Sequence, residues 1–227
     1  MSLQPTTSNL PPQLKVCGLT KTDQIQELIS MNTDFLGFIF YEKSPRYVLN
    51  HLNLKEISMI DHQGKVGVFV NEEMDEILNI VQQADLNFVQ LHGDESNNFI
   101  TELRQKLNPK VGIIKVIRVG NNDDNNKDKL AQTFSSNLQP ITYYLFDTDS
   151  KAFGGTGKQF DWNILNEFEI PIPYFLSGGI SEENIGNIKA LKQQPFALDI
   201  NSKFETAPGN KNIDSIKKFK TLYQQNR

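Results

Sequence analysis

The chain carries one cysteine, Cys17, where the apolar run LKVCG (14–18) stops. A thiolate is a base or a nucleophile, whereas a neutral buried thiol is a small hydrophobe. Asp147 closes the aromatic run ITYYLFD (141–147). A carboxyl there costs stability unless something satisfies it, and partial burial would keep it protonated and able to act as an acid; its plainer role is a cap on the next loop. Arg46 follows Pro45 in YEKSPRYV (41–48). Its planar fork suits a carboxylate or a phosphate, although most arginines end as solvated charges. His92, in QLHGDE (90–95), has no second His or Cys at ligand spacing, which argues against a metal; it either joins the chemistry or orients a strand end by a hydrogen bond. Gly178 and Gly179, in SGGI (177–180), form a turn whose N–H groups can cradle a phosphate. Gly154, Gly155 and Gly157, within 147–162, suit a loop that closes over a site, and DINSKFE (199–205) adds Asp199, Asn201 and Ser202.

These residues gain meaning from the elements that must carry them. Short β-branched or aromatic runs occupy 14–18, 35–40, 65–70, 87–92, 112–119, 141–147, 173–177 and 196–200. Unbroken apolar runs of this length suit strands buried on both faces of a parallel sheet. Between them lie helical stripes: Ile25, Leu28 and Ile29; Met74, Ile77, Leu78 and Val81; Phe99, Ile100, Leu103 and Leu107; Ile213, Ile216, Phe219 and Leu222. Asp94 with Glu95, and Ser181 with Glu182 and Glu183, read as helix starts, where the dipole favours acid. The polar stretch 120–130 reads as a solvated loop that lengthens or displaces the fifth helix.

Eight strand–helix pairs in one chain predict an α/β fold, a closed (β/α)8 barrel in a single domain spanning 14–227, after a polar, disordered lead-in at 1–13. The length of 227 residues is near the ~250 typical of such barrels. In this fold the chemistry sits where strands end, so Cys17, Arg46, His92, Asp147, Gly178 and Asp199 are expected on one rim.

Composition narrows the classes. A net charge of -4 gives no basic footprint, so neither nucleic acid nor an anionic membrane is expected as a partner. A single cysteine excludes a disulfide framework and a thiolate zinc cluster, and fits a reducing compartment. No run approaches the ~18–20 apolar residues of a membrane span, and the first residues lack a secretory pattern. The expectation is a cytoplasmic enzyme for a small phosphorylated molecule, needing no metal.

The segments KVCGLT, GFIFYEKSPRYV, VQLHGDE, LFDT…GGTGKQFDW, SGGISEENI and LDINSKFETAPGNK occur in this order. The set resembles the phosphoribosylanthranilate isomerase family of tryptophan biosynthesis, over the whole chain from about Leu14 onward. The resemblance implies an Amadori rearrangement, the third step from chorismate to tryptophan, by general acid/base catalysis without cofactor. N-(5'-phosphoribosyl)anthranilate becomes 1-(2-carboxyphenylamino)-1-deoxyribulose 5-phosphate. It implies Cys17 as base and Asp147 as acid, Arg46 on the anthranilate carboxylate, and Gly178, Gly179, Asn201 and Ser202 on the phosphate. It places Gly154, Gly155 and Gly157 in a mobile loop, and His92 and Asp199 among the substrate-binding residues. The base requires a lowered thiol pKa, for which Lys15 is one source of positive potential, and the acid a raised carboxyl pKa. Many family members read SSGVE where this chain reads NSKFE, so Lys203 stands at a glycine position. A monomer or a homodimer is expected.

Two other readings compete. An aldolase would form a Schiff base on Lys15 or Lys115, both on strands. A non-catalytic descendant would bind a sugar phosphate only, against which the intact Cys17, Asp147 and Arg46 argue.

Overall fold

The computed structural model describes residues 11–120, 124–135, 140–149 and 160–225. Eight strands close into a parallel barrel: β1 (Gln13–Val16), β2 (Phe35–Ile39), β3 (Lys65–Phe69), β4 (Phe88–Leu91), β5 (Gly112–Val119), β6 (Tyr143–Thr148), β7 (Tyr174–Leu176) and β8 (Ala197–Ile200). The seam is β1 against β8, in which Lys15 lies opposite Asp199. A small antiparallel hairpin, β9 (Glu205–Ala207) and β10 (Asn210–Lys211), follows β8. Each barrel strand starts and stops within two residues of its apolar run.

The helices are α1 (Thr22–Ser30), α2 (Leu54–Ser58), α3 (Met74–Gln83), α4 (Asn97–Lys106), α5 (Asp124–Ser135) and α6 (Ile213–Gln225). Their stripes face the sheet: Ile77, Ile80 and Val81 of α3 and Ile216 and Phe219 of α6 are buried. α2 starts in a capping box between Asn53 and Glu56. Among the described residues, no helix is long and apolar enough to cross a membrane.

Three local expectations are corrected. After β6 and β7 the chain forms 3-10 helices, Trp162–Glu167 and Ile185–Ala190, in place of α-helices. In the second, Gly186 and two asparagines in NIGN lower helix propensity, so only short turns survive. Ser181 is therefore no helix cap; its N–H donates to the Asn184 side chain. Asp94 and Glu95 do not start α4 either. Ser96 caps it, and Glu95 instead accepts the Asn71 and Gly93 N–H groups while pairing with Lys115. A carboxylate with three donors gains more than one beside a helix dipole. Finally, the polar stretch 120–130 is helical from Asp124 onward.

Alternate strand residues divide the core. Phe35, Val66, Ile114, Leu145, Phe175 and Ala197 pack inside the barrel, with the Phe88, Tyr143 and Phe196 rings against them. The opposite strand face joins the helices in a larger cluster. The aromatic layer fills the barrel floor; above it the interior becomes polar.

Candidate active site

Side chains two apart on a strand share a face. Lys15 and Cys17 therefore both point inward, although Cys17 lies one residue past β1. Cys17 packs with Ile39, Val68 and the partly buried Tyr41, and is 5 % exposed. Gly37 on β2 makes the room: a Cβ there would stand 2.9 Å from both the Cys17 Cα and its Sγ. Lys15 is fully buried, and its Nζ lies 3.0 Å from each Asp199 carboxylate oxygen.

This setting overturns one expectation. Burial pushes the Cys17 thiol up rather than down, against the opposing pull of Lys15 and Lys211. Lys15 itself is pushed up, since Asp199 and Cys17 outweigh its desolvation, so its ammonium stays charged. That is the opposite of what a Schiff-base lysine needs. Lys115 is likewise engaged, by Glu95 at 2.8 Å and the Gly93 carbonyl at 3.1 Å.

Asp147 shifts in the direction that an acid needs. It sits near the end of β6, accepts the Thr148 N–H at 2.8 Å, and is pushed up to about 6, chiefly by burial. His92 Nε2 stands 3.6 Å from Asp147 Oδ2, and the Gln90 amide contacts His92 Nδ1 at 3.2 Å. Burial, with Lys15, Arg118 and Lys115 nearby, pushes His92 down to about 3. The imidazole is thus neutral beside the acid, and the two form no ion pair at neutral pH.

Arg46 is buried, not solvated. Glu205 of the β9–β10 hairpin accepts from its Nε at 2.9 Å and its Nη2 at 2.7 Å. Lys211 completes the group, donating to Glu205 at 2.6 Å and to the Asn201 side chain at 2.8 Å. A guanidinium has five N–H donors, so the fork keeps its outer edge for an anion while Glu205 fixes its direction. Gly18 admits this packing: it sits at φ +76, and a Cβ would meet Arg46 Cδ at 2.7 Å and Asn201 Oδ1 at 3.0 Å.

Gly178 and Gly179 adopt φ +84 and +70, a region that strains other residues. A Cβ on Gly178 would fall 2.4 Å from Thr148 Oγ1, which ties this turn to the end of β6 beside Asp147. Asn184 braces the turn through the Gly179 carbonyl. Ser202 opens a 3-10 turn, Ser202–Phe204. Lys203 within it is not among the positive-φ residues, so its replacement of a glycine carries no strain. The Asn201 side chain faces Lys211, and its carbonyl accepts the Phe204 N–H at 3.0 Å. Asp199 gives both oxygens to Lys15. Gly154, Gly155 and Gly157 lie outside the described residues.

The rim thus gathers Cys17, Arg46, His92, Asp147, the Gly178–Gly179 turn and Ser202. Sequence reasoning missed Gly37, Gln90, Glu205 and Lys211 as supports. Glu205 and Lys211 lay within recognisable motifs, but nothing in their spacing announces a partner 159 residues away.

The family model described as N-(5'phosphoribosyl)anthranilate (PRA) isomerase matches residues 14–221. A protein of that name from Gloeothece citriformis is 37% identical over 220 residues, covering 94% of this chain and 93% of the relative. The crystal structure of the Thermotoga maritima phosphoribosyl anthranilate isomerase is 30% identical with a TM-score of 0.78, covering 94% of this chain and 99% of that one. Another structure of such an isomerase, in complex with reduced 1-(o-carboxyphenylamino)-1-deoxyribulose 5-phosphate, is 28% identical with a TM-score of 0.73 over the same shares.

Proposed function

The chain belongs to the N-(5'-phosphoribosyl)anthranilate isomerase family, and we propose that it performs this isomerisation of tryptophan biosynthesis as an Amadori rearrangement with Cys17 as base and Asp147 as acid. Asp147 gives its proton to the furanose ring oxygen as the C1–O bond breaks, leaving an iminium between C1 and the anthranilate nitrogen. The Cys17 thiolate takes the C2 proton. The C–H electron pair becomes the C1–C2 double bond, and the iminium π pair returns to nitrogen. The enolamine then loses its C2 hydroxyl proton to Asp147 and gains a proton at C1 from the thiol, so both groups are restored. No atom enters or leaves overall.

The observation that carries this reading is a carboxyl held near pKa 6 at the end of β6 and a single buried thiol at the end of β1 on one barrel rim. Both groups act in their minority forms at neutral pH, a thiolate and a neutral acid. Arg46, fixed by Glu205, receives the anthranilate carboxylate on its outer edge. The Gly178–Gly179 turn and the backbone at Asn201 and Ser202 receive the phosphate. A relative binds a reduced form of the product named above, which supports an open-chain ligand in the same mouth. A cytoplasmic site of action fits a chain whose one thiol must stay reduced.

The test is to generate the substrate in situ from anthranilate and phosphoribosyl pyrophosphate and follow anthraniloyl fluorescence. Decay above the blank, with the ketose identified by mass, is the expected result. Folded protein that binds substrate without turning it over would return the binding-protein reading.

A further inference from the structure

Cys17 is surrounded by charge that the acid/base roles leave unused. Lys15 faces it from β1, Asp199 from β8 and Lys211 from β10. Arg46 and Glu205 lie beyond, bound to each other, and His92, just past β4, is neutral. Lys211 directs two donors to Asn201 and Glu205 from the hairpin, whereas Lys15 lies on the strand that carries Cys17 into the barrel. The Lys15 ammonium has three N–H donors; two are directed to the Asp199 oxygens, and its charge acts on the Cys17 thiol two residues along the same inward face. Lys15 and Asp199 are register partners across the barrel seam, so the backbone itself holds the pair together.

We propose that Lys15 is the positioning residue for the base: clamped by Asp199, it aims one N–H at Cys17 and holds the negative charge of the thiolate. This rests on the reading of Cys17 as base. The logic is a chain of three charges. A thiol in an apolar pocket resists ionising. An ammonium beside it reverses that, but a lone buried ammonium sheds its own proton. Asp199 prevents the loss. In the step, the C2–H bond breaks and the S–H bond forms, while Lys15 and Asp199 keep their charges. The thiolate fraction gains the full effect of Lys15, and the sulfur's proton affinity gives back only part of it in rate. Lys15 thus speeds the reaction as long as the thiolate is the minority form.

The chain's single cysteine makes this directly measurable. The pH dependence of iodoacetamide alkylation, or of ultraviolet thiolate absorbance, reads Cys17 alone. We expect Lys15→Met to raise the titration midpoint by about one pH unit or more. Lys15→Met with Asp199→Leu, which leaves no unpaired buried carboxylate, raises it by less, since Asp199's opposing charge goes too. Lys15→Arg keeps the charge and stays near the parent. In parallel kcat falls about threefold or more for each tenfold loss of thiolate while KM holds, and the alkaline limb of the pH–rate profile moves with the thiol. An unchanged midpoint in the folded double variant overturns the proposal. An active Cys17→Ala instead removes the base reading beneath it, an outcome the thiol titration does not share.

Discussion

Glu205 grips Arg46 through the Nε and one Nη, at 2.9 and 2.7 Å, and both side chains are nearly buried. The arginine expected to bind substrate is therefore already half-committed inside the protein. Its fork is held in one direction before any ligand arrives, and Lys211 leaves the trio with net positive charge. Preorganisation of this kind lowers the ordering cost of binding.

Glu205→Gln tests it. The variant replaces the carboxylate shared by Arg46 and Lys211 with a neutral amide. We expect KM for the aminoaldose to rise about tenfold or more with a smaller change in kcat, and stability to drop by about 3–5 kcal/mol, the usual cost of removing one partner of a buried pair. Arg46→Lys keeps charge but loses the fork, and should raise KM comparably. Steady-state kinetics and urea unfolding separate the two effects.

The pH–rate profile should be a plateau with two limbs. The active form carries a protonated Asp147 and an ionised Cys17. Asp147 titrates at about 6, and burial places the thiol above its ordinary value. Between the two midpoints the active pair is a constant minority. Below about pH 6 a second proton fills both groups and kcat/KM falls; above the thiol midpoint both are empty and it falls again. Asp147→Asn should lose about 100-fold or more in kcat, and its residual activity should rise with pH up to the thiol midpoint and then level off, with neither the break near pH 6 nor the alkaline fall.

His92 is neutral in the fold and pushed down to about 3. A base with a lowered folded pKa contributes stability that is fully present above its unfolded value and is lost as pH falls toward the folded one. Between roughly pH 6.5 and 3 the parent should lose stability more steeply than His92→Asn. Asp147 works in the other sense. Its raised pKa favours the fold at low pH, and that contribution fades as pH rises through about 6. Denaturation midpoints of both single variants across this range resolve the two slopes.

Gly37→Ala should damage both fold and activity. The new methyl would stand 2.9 Å from the Cys17 backbone and sulfur, and a strand backbone in a closed barrel yields little. A cost of about 1–3 kcal/mol is expected, together with a displaced sulfur and a kcat loss larger than the stability loss implies. Thermal unfolding and single-turnover rates provide the comparison.

Lys203→Gly reverses the departure from the family pattern. Lys203 has no left-handed strain to relieve. The substitution should therefore stabilise nothing and cost up to about 1 kcal/mol in backbone entropy, read from the unfolding midpoint.

Much of this molecule was legible as a string. Short apolar runs spaced by helical stripes named eight strands, because a strand buried on both faces admits little else. Strand-end position then singled out Cys17, Asp147 and the Gly178–Gly179 turn, since βα loops alone reach the mouth of a barrel. Local helix geometry was less legible. Ser181 and Asp94 looked like caps, but Ser96 caps α4, and the Ser181 N–H instead donates to the Asn184 side chain, bonds decided by the folded loops.

What the string could not contain is the company each group keeps. Lys15 and Asp199 stand 184 residues apart, and only closure of the barrel makes them neighbours. That closure decides that Lys15 is a clamped cation rather than a nucleophile, that Arg46 is gripped by Glu205, and that the Cys17 thiol is pushed up rather than down. Residue type and order determine which chemistry is available, because functional groups and strand periods are local. Ionisation and orientation depend on burial and on charges a few ångströms away, and those distances exist only once the chain has folded.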